Sequence, residues 1–192
     1  VNQGMREISD WLAGQGYVVL CPDLFWRQEP GIQLTDKTEA EWARAFELFG
    51  GFNLDKGMED IASTISTLRG LDGCNGKVGA IGYCLGGRLA FATATRTDAD
   101  ACVGYYGVML PEHRDEAVRC PVMLHVAEED EYVPAEQQAE IRDIWGGNDL
   151  VTIHSYAGQN HAFARPDGIH YHKESADLAN GRTLEFFREK LG

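Results

Sequence analysis

Five short apolar runs recur along the chain, and each has the length of a β-strand. Most are apolar on both faces rather than alternating, which is typical of strands buried in a parallel sheet. The runs are YVVLC (17–21), KVGAIGY (77–83), ACVGYYG (101–107), PVMLHV (121–126) and LVTIHSY (150–156). Each run is predicted to be a strand.

Helical periodicity occupies the stretches between these runs. Apolar side chains at Met58, Ile61, Ile65 and Leu68 recur at steps of three and four, which places them on one face of a helix. The same spacing occurs near both ends of the chain, at Met5, Ile8 and Leu12 and at Leu184, Phe187 and Leu191. Strands that alternate with helices predict an α/β fold with a mostly parallel sheet.

No repeat, low-complexity tract or linker divides the chain, so residues 1–192 are predicted to form one domain. The least regular segment, residues 22–36, follows a predicted strand, and loops in that position line the ligand crevice of parallel sheets. Phe25 and Trp26 in this segment could wall a pocket. Packing of the loop onto the protein is the favoured interpretation.

The charge balance argues against two classes of partner. The 30 acidic residues outnumber the 17 basic ones and give a formal net charge of −13, which repels nucleic acid and anionic membrane surfaces. A small anionic substrate stays open, because one arginine in a pocket can override a diffuse field. No apolar run approaches the roughly 18 residues of a membrane span, and the N-terminus lacks a secretory pattern.

Cysteine and histidine usage favours a reduced, cytoplasmic protein without a metal centre. The five cysteines are an odd number and are widely spread, unlike a disulfide framework. They are Cys21, Cys74, Cys84, Cys102 and Cys120. His170 and His172 form an HYH motif, but no zinc-like spacing of cysteine and histidine is present, so we interpret them as solvated loop residues.

One cysteine stands in a distinctive setting. The run GYCLG (82–86) has the form Gly-x-nucleophile-x-Gly, follows a predicted strand, and leads into RLAFATAT, an alanine-rich run suited to a buried helix. This is the context of a nucleophile elbow, a sharp turn that holds the central residue in a strained conformation. Gly82 and Gly86 would allow strand and helix to approach closely. The sequence therefore predicts that the Cys84 thiol lies at a helix N-terminus.

Such a position suits acyl-transfer chemistry. Helix N-termini favour negative charge and so favour a thiolate, and their free N–H groups can stabilise an oxyanion. The N–H of Leu85, the residue after the nucleophile, is the predicted oxyanion donor. The alternative is a structural cysteine in a glycine-rich turn, which is our default interpretation for the other four cysteines.

A base and an orienting acid are expected later in the chain, in the order nucleophile, acid, histidine. The acidic loop EEDEYVP follows the strand at 121–126, and we select Asp130 there because its short side chain precedes the start of the next helix. Glu128, Glu129 and Glu131 are expected to face water. His161 follows Gly158 in the loop after the last strand, where a core histidine would be unusual.

With these residues in hand, the chain resembles the dienelactone hydrolase (carboxymethylenebutenolidase) family of the α/β-hydrolase fold over essentially its whole length. The segments that carry the resemblance are CPDLFWRQEPG, GKVGAIGYCLGGRLAF, VGYYGV, EEDEYVP and NHAFARP. The cysteine elbow is specific, since most α/β-hydrolases carry serine there.

The resemblance implies a triad of Cys84, His161 and Asp130 that opens a small lactone or ester through a thioester, without a cofactor. In the family an arginine after the catalytic histidine binds the substrate carboxylate, and Arg165 holds that position; a surface arginine is the alternative. Tyr105, from VGYYGV, is a further candidate substrate contact. The partner is then a small molecule, and the chain is expected to be a monomer or a small homo-oligomer.

Departures from the family pattern concern specificity. A second carboxylate-binding arginine and a tyrosine are replaced by Trp42 and Phe46, with Arg44 between them, which favours a bulkier or less charged ester. Ala162 replaces a serine after the histidine. Family members also begin earlier than Val1, with strands, a glutamate near the cysteine and the second oxyanion donor, so we expect the sequence to be N-terminally incomplete.

Two functions from other classes stay open. The first is a catalytically silent binding module of the same fold, which the absent oxyanion segment would favour. The second is a redox-sensing thiol protein, which a reactive cysteine would also suit.

Overall fold

Four of the five predicted strands form, and they pair in parallel in the order in which they occur along the chain. Each strand therefore lies beside its neighbours in sequence. Every connection runs from the carboxyl end of one strand back to the amino end of the next. The strands are β1 (Gly79–Tyr83), β2 (Ala101–Tyr105), β3 (Val122–Ala127) and β4 (Val151–Tyr156). The register aligns Tyr83, Tyr105, His125 and His154 in one row near the carboxyl ends. The α/β fold with a parallel sheet is confirmed.

Six α-helices accompany the sheet in the computed structural model, which describes residues 1–192. They are α1 (Gln3–Gly14), α2 (Glu39–Gly50), α3 (Leu54–Arg69), α4 (Leu85–Arg96), α5 (Ala135–Trp145) and α6 (Lys173–Leu191), and a short 3-10 helix spans Leu110–His113. The predicted apolar faces are inward: Leu12, Met58 and Ile65 are buried. None of the helices combines the length and the apolar character that a membrane span requires.

By its internal contacts the chain divides into two compact units. The first comprises Val1–Gly76 and Pro166–Ile169, and the second comprises Lys77–Arg165 and His170–Gly192. Helices α1 to α3 belong to the first unit. The whole sheet, with α4 to α6, belongs to the second.

The core of the second unit is built on the two central strands. Every residue of β2 and β3 is buried, because each of these strands has a neighbour on both sides. Helix α4 packs against β1 and β2, and α6 packs against β2 and β3. Residues 89–95 of α4 are all buried, as the alanine-rich sequence predicts.

The predicted strand at residues 17–21 is wrong. This segment has no regular secondary structure, and no strand pairs with it. A strand is stabilised by hydrogen bonds to a neighbour, so an apolar sequence without a partner does not form one. Val18 and Leu20 are accordingly 39% and 40% exposed.

Candidate active site

Cys84 is the single residue between the end of β1 and the start of α4. Its backbone has φ 56° and ψ −114°, a conformation that residues with a side chain rarely adopt. Two hydrogen bonds hold it there: its N–H donates to the carbonyl of Tyr105 (3.0 Å), and its carbonyl accepts from the N–H of Arg88 (3.2 Å). The sharp turn predicted around the thiol is therefore present.

The glycines of the turn have different roles. A Cβ atom at Gly82 would lie 1.9 Å from the carbonyl oxygen of Gly86, so no side chain fits there. A Cβ at Gly86 would meet nothing within 4 Å, so the expectation that this glycine is needed for space is wrong. Gly87 was not predicted to matter, yet a Cβ there would lie 2.6 Å from the carbonyl oxygen of Tyr105. Close packing of α4 on β2 depends on Gly87.

Leu85 is the first residue of α4 and is buried. The first N–H groups of a helix have no carbonyl partner within that helix. The N–H of Leu85 is thus available at the start of α4, directly after the thiol, where a developing oxyanion would be stabilised.

Asp130 and His161 meet in the same unit, from the loops that follow β3 and β4. His161 Nδ1 lies 2.8 Å from Asp130 Oδ2 and 3.0 Å from Oδ1, and both side chains are buried. Asp130 Oδ1 also accepts the N–H groups of Tyr132 (2.8 Å) and Val133 (3.1 Å). Two backbone N–H groups and the His161 ring thus hold this carboxylate, and a carboxylate held in place fixes the orientation of the imidazole.

The two loops are joined to each other by their backbones. The N–H of Glu128 donates to the carbonyl of Tyr156 (3.1 Å), and the N–H of Glu129 donates to the carbonyl of Gln159 (2.9 Å). These bonds continue the pairing of β3 with β4 beyond the strands and set the distance between acid and histidine. The side chains of Glu128, Glu129 and Glu131 are exposed, as predicted.

The electrostatics of His161 favour its protonated form. Burial lowers the pKa of the imidazole, but the hydrogen bond with Asp130 and the neighbouring Cys84 side chain raise it more, to about 9 from an ordinary 6.5. His161 Nε2 is buried and makes no hydrogen bond of ordinary geometry, while the Cys84 side chain lies close enough to act on the imidazole. A polar atom in that position is suited to exchange a proton with a group that arrives beside Cys84.

Two tyrosines that sequence reasoning missed flank this imidazole. The ring centroids of Tyr106 and Tyr132 lie 5.0 and 4.8 Å from that of His161. The predicted substrate contact, Tyr105, is instead fully buried, and its hydroxyl bonds to Thr183 (2.7 Å) and Asn180 (3.0 Å). These contacts place Tyr105 in the core between β2 and α6, in place of a substrate contact.

The remaining predicted substrate residues lie in both units. Arg165 is half-buried in the second unit. Burial and the neighbouring Cys84 raise the pKa of Tyr106, whereas the positive charge of Arg165 lowers it, so Arg165 lies near this phenol. In the first unit, Trp42 stacks on Phe46 at 5.7 Å, and Phe46 is 52% exposed. Arg44 forms ion pairs with Glu29 and Glu47. Their roles in specificity stay predictions.

No group of three or more histidine, cysteine, aspartate or glutamate side chains comes together in an arrangement that could hold a metal ion. His170 and His172 are exposed, and His172 caps the N-terminus of α6 by accepting the N–H of Ser175. They therefore fit the interpretation as solvated loop residues.

Comparison with known proteins identifies the family. Residues 1–191 match the sequence profile of the Dienelactone hydrolase family. The chain belongs to this family. A protein of Azospirillum brasilense with a provisional carboxymethylenebutenolidase name is 47% identical over 195 residues, covering 100% of this chain and 84% of that protein. The carboxymethylenebutenolidase of Pseudomonas putida is 40% identical over 188 residues, covering 97% and 80%.

Solved structures support the fold of this dienelactone hydrolase family member. A provisionally named dienelactone hydrolase from Klebsiella pneumoniae superposes with a TM-score of 0.85 at 22% identity, covering 98% of this chain and 82% of that one. A dienelactone hydrolase-like promiscuous phosphotriesterase from metagenomic libraries gives 0.76 at 19% identity, covering 100% and 82%. At such low identity these likenesses establish the α/β-hydrolase architecture, and the family match establishes a hydrolase family.

Replacing the carboxylate that orients the imidazole tests this arrangement. In Asp130→Asn we expect the pKa of His161 to fall below about 9, because the hydrogen bond with the carboxylate is the largest contribution that raises it. NMR titration of labelled histidine measures the shift directly, with His161→Gln identifying the resonance. Glu131→Gln, which changes an exposed carboxylate one residue away, is the control. An unchanged pKa in Asp130→Asn would contradict the assignment.

Proposed function

We propose that this chain hydrolyses small lactones or carboxylic esters, with Cys84 as nucleophile, His161 as acid and base, and Asp130 as the group that orients His161. The observation that carries the proposal is that the buried imidazole of His161 interacts with the Cys84 side chain while its Nδ1 is held by Asp130. The names of the relatives support the substrate class, since carboxymethylenebutenolidases act on a lactone.

In the first half-reaction the Cys84 thiolate attacks the carbonyl carbon, a C–S bond forms, and the carbonyl electrons move onto oxygen. The N–H of Leu85 would stabilise that oxyanion. Collapse breaks the C–O bond, and the leaving oxygen takes the proton from His161 Nε2. A thioester remains on Cys84, and in a lactone the released alcohol stays attached to the acyl group.

The second half-reaction needs His161 in its neutral form. Formation of the thioester removes the negative charge of the thiolate, and with it one of the effects that raise the pKa of His161. The neutral imidazole then takes a proton from water, and the resulting hydroxide attacks the thioester. The C–S bond breaks, and the thiolate returns beside a protonated imidazole. The same residue thus serves as acid and then as base.

Arg165 is the group suited to an anionic substrate. It is half-buried in the same unit as Cys84, and its guanidinium can bind a carboxylate through two parallel hydrogen bonds. A substrate with a carboxylate is therefore expected to lose affinity in Arg165→Gln, while an uncharged ester keeps it.

The pH dependence of kcat/KM tests the mechanism. Turnover of a small lactone, whose alkoxide leaving group needs a proton, should fall above about pH 9, because the imidazolium of His161 that protonates the leaving oxygen is lost there. A profile that stays flat from acid to alkaline pH would contradict the assignment.

The same assay separates the other two functions. The parent chain and His161→Ala are compared on a chromogenic acetate and on a small lactone. Turnover in the parent and its loss in His161→Ala support a hydrolase. No turnover in the parent would favour the binding module or the redox thiol instead.

A further inference from the structure

The His161 imidazole lies between two aromatic rings that come from different elements. Tyr106 follows β2, and its ring is inclined at 58° to the imidazole with centroids 5.0 Å apart. Tyr132 lies in the loop after β3, and its ring is inclined at 68° with centroids 4.8 Å apart. Both separations fall in the range in which aromatic rings attract each other, and within the distance at which a ring face attracts a cation.

Tyr106 is held in place by its backbone and its neighbours. It is 2% exposed, its φ is 37°, and its N–H donates to the carbonyl of His125 (2.7 Å). Its ring also packs edge to face on Phe163, two residues after His161, at 5.7 Å. Its hydroxyl is buried and has no hydrogen-bond partner, so its contact with His161 is made by the ring.

Tyr132 is positioned by the same carboxylate that positions the histidine. Its N–H donates to Asp130 Oδ1 (2.8 Å), and His161 Nδ1 lies 3.0 Å from that oxygen. Asp130 therefore holds Nδ1 of the His161 imidazole and also the backbone N–H of Tyr132, whose ring packs beside that imidazole. The side chain of Tyr132 is only partly buried, which makes it the better position for substitution.

We propose that Tyr106 and Tyr132 form an aromatic clamp that keeps the His161 imidazole in one orientation and stabilises its protonated form. Rings so inclined bring the edge of one toward the face of the other, and a tyrosine face directed at an imidazolium attracts it, more strongly where water is excluded. The clamp adds two positioning residues to the site, and its catalytic consequence rests on the proposed function.

Other charged groups act on the same imidazole and must be kept constant. Cys84 and Asp130 act on His161 directly. Arg165 acts on Tyr106, and Glu131 acts on Tyr132. None of these groups is changed when the aromatic rings are substituted, so the effect of the rings can be measured alone.

The test is an NMR titration of the histidine ring in variants of the whole chain. Tyr132→Leu is expected to lower the pKa of His161 by about 0.5 to 1, which corresponds to the attraction between one ring and a cation. Tyr132→Phe keeps the ring and is expected to leave that pKa where it is in the parent. Tyr171→Leu removes an exposed tyrosine elsewhere in the same unit and serves as the control.

Three results would overturn the clamp. The pKa of His161 could stay unchanged in Tyr132→Leu, or fall equally in Tyr132→Leu and Tyr132→Phe, which would assign the effect to the hydroxyl. It could also fall equally in Tyr171→Leu, which would make the effect nonspecific. In Tyr106→Phe, which keeps the buried ring, the pKa of His161 should equal that of the parent. The titration needs no substrate, so a chain without esterase activity would refute the proposed function and leave the clamp to be judged on the titration.

Discussion

Replacing Cys84 with alanine is expected to lower ester hydrolysis by about 10⁴-fold or more. In the proposed mechanism no thioester forms without the thiol, and the imidazole has no nucleophile to assist. The remaining N–H of Leu85 would stabilise only the slow attack of water. The loss should be seen in kcat, because alanine leaves the surrounding binding groups unchanged.

The measurement compares initial rates on a chromogenic acetate and a small lactone for the parent, Cys84→Ala and Cys74→Ala. Cys74 is a half-buried cysteine of the first unit, so its variant controls for the loss of a thiol in general. Mass spectrometry of quenched parent enzyme should detect one acyl group, which should be absent from Cys84→Ala. If Cys84→Ala kept a tenth of the parental rate, another nucleophile would have to be sought.

The second large effect is structural and is expected in Gly82→Ala. The added Cβ would lie 1.9 Å from the carbonyl oxygen of Gly86 and 2.2 Å from its carbonyl carbon. Both are backbone atoms of a helix, so the clash cannot be relieved by turning a side chain. We expect the free energy of unfolding to fall by about 4 kcal/mol or more, or the chain not to fold.

Gly86→Ala is the matched control, because it adds the same methyl group to the other glycine of the motif. Its Cβ meets nothing within 4 Å, and alanine is favoured over glycine within a helix. Urea unfolding should give Gly86→Ala a stability within about 1 kcal/mol of the parent. Equal unfolding midpoints for Gly82→Ala and Gly86→Ala would show that the turn is more adaptable than its geometry indicates.

The elements of the fold that the sequence predicted well are those whose signal is local. Apolar runs that have at least one neighbouring strand to pair with became strands, and the spacing of Met58 and Ile65 marked the buried face of α3. The run at residues 17–21 is equally apolar. A strand also needs a neighbouring strand to pair with, and the sequence of the run does not show whether one is present. The prediction failed where the deciding contact was with another segment.

In the candidate active site, too, contacts between distant segments limit what the sequence predicts, here for single side chains. The order of Cys84, Asp130 and His161 could be read from motifs at strand ends, and the structure joins the last two by a hydrogen bond. The sequence did not reveal which of two adjacent tyrosines faces the imidazole, because β2 is buried on both faces and its apolar pattern does not tell one face from the other. Tyr105 keeps the strand conformation and enters the core, whereas Tyr106, with φ 37°, packs on His161.

The backbone of Cys84 has a consequence for how this position can change. Glycine would adopt its φ of 56° with less strain, so a chain selected only to resist heat would tend to exchange this cysteine for glycine. Such an exchange would remove the sulfur. Stability and the proposed reactivity are thus opposed at a single residue, and a cysteine there is compatible with catalysis only at the cost of a less stable turn.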